Sequence, residues 1–164
     1  MKNALEVLRS RRSIRTYAQK PVEKSIIEEI VDCGRLAPTA NNDQPWEFVV
    51  LTSKEKMASL PPMLGHAEYL ANAAFVILVL ARPTQYAVED SCAATENLLL
   101  AAEAHGIGSC WVAGTQQPYA PKVAAAFGAP ADHQLIALCS FGYPAEEVTI
   151  EKRTLSSVLH WEKF

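Results

Sequence analysis

An α+β or mixed-sheet domain of three layers is the fold class this chain predicts. Strand-like runs alternate with segments of helical period, but at irregular intervals, which favours that class over a regular doubly wound fold. The run from Ala73 to Ala81 is apolar throughout and falls well short of the roughly 20 residues that span a bilayer, so it reads as a buried strand. At 164 residues the chain is a single domain, residues 1–164, and a chain of this length buries roughly 70% of its unfolded surface. A core of that size needs no disulfides.

Taken in order, Asn3 followed by Glu6 forms a variant capping box for a short first helix, with Leu5 and Leu8 on its inner side. That helix delivers Arg11 and Arg12 at its end. From about Val22, the spacing of Ile26, Ile27, Ile30 and Val31 predicts a second helix that closes near Leu36, because Pro38 disfavours helical geometry at Ala37. A loop from Pro38 to Pro45 follows. Trp46 to Leu51 is aromatic and β-branched, hence a strand, and Ser53 caps a short helix that carries Met57 and Leu60 and ends at Pro61 and Pro62. After the buried strand, an Ala- and Leu-rich helix runs from about Val88 to His105 and stops at Gly106 and Gly108. Its small side chains suit close packing against another helix. Cys110 to Val112 reads as a strand, Pro121 to Phe127 as a helix, and Gln134 to Phe141 as a last strand broken by Gly142-Tyr143-Pro144.

A net charge of -3 argues against a nucleic-acid binder, and any basic patch must be local. The opening residues hold no apolar signal segment, so a cytoplasmic location is expected, without membrane or nucleic-acid partners. Cys33, Cys92, Cys110 and Cys139 are widely spaced in apolar surroundings and are expected to be reduced and buried. The four histidines are equally scattered, and no metal site is expected.

Two segments carry chemistry. Arg11, Arg12, Ser13 and Arg15 place three guanidiniums and a hydroxyl within five residues, a set that suits a phosphate through charge-assisted hydrogen bonds. A solvated charged turn or a nucleic-acid contact is the competing reading of that cluster alone. The second segment, Pro38, Thr39, Ala40, Asn41, Asn42, Asp43 and Gln44 before Pro45-Trp46, is a polar loop between a helix end and a strand, where binding residues commonly lie. Together, in this order and spacing, the two resemble signature segments of the nitroreductase family of FMN-dependent oxidoreductases. The likeness continues through Glu96 to Ala102, Gly106 to Trp111 and Phe141 to Pro144, and so covers most of the chain.

The resemblance implies an α/β/α sandwich with a mixed central sheet, and a homodimer with FMN sites at the subunit interface. Arg11, Arg12, Ser13 and Arg15 would hold the phosphate and ribityl chain, and Pro38, Thr39, Ala40, Asn42 and Gln44 would reach the flavin of the other subunit. Arg153 would be a second phosphate arm. Ala113 and Gly114 lie where the family runs backbone along the isoalloxazine, with an N–H near N5. No side-chain nucleophile is implied, since flavin N5 carries the chemistry. NADH or NADPH would donate hydride, and a nitroaromatic, quinone or similar conjugated acceptor would take it up in a ping-pong cycle. A flavin reductase or dehalogenase on the same scaffold is the alternative, as is a non-catalytic flavin-binding protein. Glu96 and Asn97 are expected to be structural, and Trp46, Trp111 and Tyr143 to belong to the core.

Overall fold

A computed structural model describes residues 2–164. Asn3 caps the first helix as expected: its side chain accepts from Glu6 N–H while the Glu6 carboxylate accepts from Asn3 N–H. The helix, α1, spans Ala4–Ser10. Its buried residue is Val7, and Leu5 and Leu8, expected inside, are 60% and 58% exposed. The short helix presents one residue to the core, and its leucine face is left outward. Helix α2, Lys24–Arg35, buries Ile27 and Ile30 and ends with Leu36 as its cap residue.

Four strands follow: β1 Trp46–Leu51, β2 Phe75–Ala81, β3 Gly108–Ala113 and β4 Gln134–Gly142. They form one sheet in the order β1-β2-β4-β3, with all three ladders antiparallel. The parallel component is a bridge between Ser13 and Ser109 beside β3. Strand β2 is buried along its whole length because both of its faces are covered. Val76, Leu78 and Leu80 point into one apolar cluster with Met57, Leu60, Leu64, Leu70 and Val123. Phe75, Ile77 and Val79 point into the other with Ile27, Ile30, Leu98 and Ala102. This alternation with a period of two makes the three layers.

Helix α5, Ala87–Ala104, packs on α2 in the second layer. The close helix contact expected of α5 is made by a small residue of its partner instead: a Cβ at Gly34 of α2 would sit 2.5 Å from Leu98 Cδ2 of α5, so glycine in α2 lets the two helices close. On the opposite face lie α3 (Lys54–Ala58), α4 (Leu60–Leu64), a 3-10 turn over Glu68–Asn72, and α6 (Ala120–Ala126). Ser53 caps α3 as predicted. Pro61 and Pro62, expected to end that helix, instead occupy the first turn of α4, where a missing N–H costs nothing. Cys110 and Cys139 are buried, Cys33 and Cys92 only half-buried, and all four are free thiols. No helix among the described residues is long and apolar enough to cross a membrane.

Candidate functional site

The arginine segment leaves α1 and lies along the sheet edge. Ile14 N–H donates to Ser109 O at 2.9 Å beside the Ser13–Ser109 bridge. Tyr17 then anchors the segment from inside: its hydroxyl donates to Ile14 O at 2.6 Å and lies 2.7 Å from Ser140 Oγ. Burial pushes the Tyr17 phenol up, so it stays protonated. Glu146 closes the segment from the other side, its Oε1 accepting from Arg15 N–H at 2.7 Å and Thr16 N–H at 2.9 Å.

Those two backbone donors hold the Glu146 carboxyl below its ordinary range, Arg15 N–H contributing first. A group depressed in the folded state stabilises the fold above its unfolded pKa, about 4.3, and that contribution is lost as pH falls through the lower folded value. Glu146→Gln is therefore expected to flatten the decline of melting temperature below about pH 4.5. Thermal melts across pH 3 to 7 check it.

The three guanidiniums have different surroundings. Arg11 Nε lies 3.7 Å from Glu96 Oε1 on α5. Arg12 Nη1 donates to the carbonyls of Arg9 and Arg11 at the end of α1, and its Nε is buried with no partner. Arg15 is exposed, stands 5.8 Å from the Tyr69 ring centroid, and forms no ion pair among the described residues. Its charged form is favoured first by Cys110 and then by Tyr69. Tyr69 in turn lies with its hydroxyl 3.4 Å from Cys110 Sγ.

The loop after α2 is a 3-10 turn over Ala40–Asn42 with Asn41, Asn42 and Gln44 all at positive φ. Asparagine tolerates that region through its short polar side chain, and glutamine does so less readily. The turn is tied at several points. Gln44 N–H donates to Thr39 Oγ1 and its amide to Asn42 O, while Arg82 donates to Asp43 O. Ala40 N–H donates to Asp90 Oδ1 at 3.1 Å. Pro38 stays exposed.

The arginine segment and the loop thus both rest on α5, at Glu96 and Asp90. Six residues of helix separate those contacts by about 9 Å along the axis and about 240° around it, so they meet different faces. Asn97 has the structural role expected, donating to Cys33 O. Trp46 is in the core, Trp111 packs against it, and Tyr143 carries Lys20 over its ring at 4.1 Å.

The third segment departs from expectation in detail. Gly114 N–H and Thr115 N–H both donate to Ile136 O, and the Ala113 carbonyl accepts from the Tyr119 hydroxyl. A Cβ at Gly114 would lie 2.8 Å from the Ile136 carbonyl carbon, so glycine there serves packing onto β4. Gln116, whose φ is 62°, donates none of the turn and loop backbone hydrogen bonds found among the described residues. Arg153 lies in the exposed tail, where its guanidinium donates to Ser157 O. Sequence reasoning also passed over Asp90, Glu146 and Tyr69, whose roles depend on long-range pairing.

The sequence profile described as Nitroreductase family matches residues 8–78 and 60–143. A relative from Archaeoglobus fulgidus, provisionally named NADH dehydrogenase/NAD(P)H nitroreductase, is 35% identical over 154 residues, 90% of this chain and 88% of its own length. Among solved structures, an FMN-dependent nitroreductase from Clostridium difficile superposes with a TM-score of 0.91 at 27% identity, covering 98% of this chain and 99% of that one. A provisionally named nitroreductase from Desulfovibrio desulfuricans, solved in complex with FMN, gives 0.87 at 28% identity, covering 100% and 99%.

Proposed function

The chain belongs to the Nitroreductase family, and we propose that it is an FMN-dependent oxidoreductase working as a homodimer. The observation that carries this reading is the unpaired Arg15 guanidinium, held on the sheet edge two residues past the Ser13–Ser109 bridge. A flavin mononucleotide presents a dianionic phosphate and a ring edge rich in acceptors, and this chain offers donors of matching kind. Arg15 supplies a cation without an ion pair and Arg12 Nε a buried donor without a partner, both among the described residues. Arg11 and Ser13 complete the phosphate arm, and Ala113 and Gly114 offer backbone to the flat ring. FMN held by these residues would supply the redox chemistry, with NADH or NADPH as hydride donor and a nitroaromatic, quinone or similar conjugated compound as acceptor in a ping-pong cycle.

The homodimer is supported by what one subunit leaves uncovered. Residues 151–164 are exposed throughout, Trp161 at 81% and Leu155 at 71%. Leu5 and Leu8 add apolar surface, and the outer edge of β1, unpaired among the described residues, lies beside a groove of about 650 Å³ whose floor of Val22, Ile27, Val31 and Val50 is rimmed by Lys24, Glu28, Asp32 and Arg35. Exposed apolar side chains in this number are what association would cover. Because Arg11 and the Ala40 turn meet different faces of α5, a flavin touching both segments is best served by two chains. In that arrangement Pro38, Thr39, Ala40, Asn42 and Gln44 serve the partner's flavin, and the tail brings Arg153 to a phosphate.

The test is a visible absorption spectrum of the purified protein before and after anaerobic NADPH or NADH. Oxidised-flavin bands that bleach with the donor and return on adding a nitroarene or quinone are expected. A colourless protein that also fails to bind added FMN overturns the reading.

A further inference from the structure

Asp90 sits in the first turn of α5 at 6% exposure, with one oxygen accepting the Ala40 N–H and the other, Oδ2, buried without a partner among the described residues. For stability alone this is a poor choice. A buried carboxylate loses hydration, and an unsatisfied oxygen adds a further penalty that an apolar side chain of the same shape would avoid. Ser91 Oγ and Thr84 Oγ1 are also buried and unpartnered among the described residues, so neither supplies the missing bond, and only the positive end of the α5 dipole offsets part of the cost. What Asp90 does hold is the middle of a turn whose Asn41, Asn42 and Gln44 are all left-handed, a conformation that persists only where surroundings enforce it. The ends of that turn are pinned separately, by Ala37 and Trp46 packing on Ala94 one helical turn beyond Asp90.

We propose that Asp90 is a positioning residue: it fixes Ala40 from below, so that Thr39, Ala40 and Asn42 are set in advance for the flavin. The inference rests on the functional reading above. It predicts that binding and stability move in opposite directions, which a purely structural residue would not do.

Asp90→Leu keeps the branched shape at somewhat larger volume and removes both the acceptor and the carboxylate, whereas Asp90→Asn keeps an acceptor for Ala40 N–H. Each full-length protein is stripped of flavin, titrated with FMN by fluorescence, melted, and followed by hydrogen exchange at Ala40. For Asp90→Leu the expected result is a melting temperature at or above wild type, faster exchange at Ala40, and FMN binding weakened about tenfold or more. Asp90→Asn is expected to restore affinity to within about threefold and to keep Ala40 protected. Asp90→Leu binding FMN as wild type does, or failing to fold while Asp90→Asn folds, overturns the proposal. Wild-type protein that binds no FMN defeats the functional reading itself and is scored separately.

Discussion

Replacing Arg15 with alanine is expected to weaken FMN binding by roughly ten- to over a hundredfold, because hydrogen bonds to charged groups are worth about 1.5 to 3 kcal/mol. The effect should exceed that of Arg11→Ala or Arg12→Ala. Arg11 already faces Glu96, and Arg12 is engaged with carbonyls at the end of α1, so both have competing partners within the chain. Arg15 has none of those ties and is oriented by the Tyr69 ring. Its side chain is exposed, so the variant should melt close to wild type, and the loss should read as binding alone. Fluorescence titration of flavin-free protein measures it. An affinity equal to wild type would remove Arg15 from the phosphate site and leave the cluster as a structural cap.

The parts of this fold that were legible in the sequence are those fixed by local chemistry. Asn3 and Glu6 cap α1 through contacts three residues apart, Ser53 caps α3, and the apolar run around β2 can be read directly because both of its faces are covered. The misreadings have physical causes as well. Pro61 and Pro62 mark a helix boundary from either side, and only the burial of Leu60 and Leu64 selects a beginning. Leu5 and Leu8 have the right spacing for an inner face, but a seven-residue helix tangential to the core buries Val7 alone.

At the site the division is similar. The arginine segment and the polar loop announced themselves by residue type and order. Asp90 and Glu146 did not, because each acts through a backbone group distant in sequence. Glu146 reaches Arg15 across 131 positions, and Asp90 reaches Ala40 across 50. Their value lies in which N–H they meet, which residue type does not encode.

Deleting residues 150–164 is expected to convert the protein from a dimer that holds flavin into a monomer that does not. Leu155, Val158, Leu159, Trp161 and Phe164 are all exposed in the tail of one subunit. Burying a large apolar side chain contributes about 1.5 to 3 kcal/mol, so five of them are comparable with the roughly 4 to 15 kcal/mol that association costs. The remaining apolar surface proposed for the interface, Leu5, Leu8 and the edge of β1, is then expected to be too little to hold two chains together. Flavin should depart with the partner if, as proposed, the Ala40 turn serves the flavin of the other subunit, and Arg153 leaves with the tail. Sedimentation velocity, recorded at both protein and flavin wavelengths, reads both quantities in one run. A monomer that keeps FMN would contradict the shared site. A dimer that persists without FMN would place the interface elsewhere and leave the tail as a cofactor arm alone.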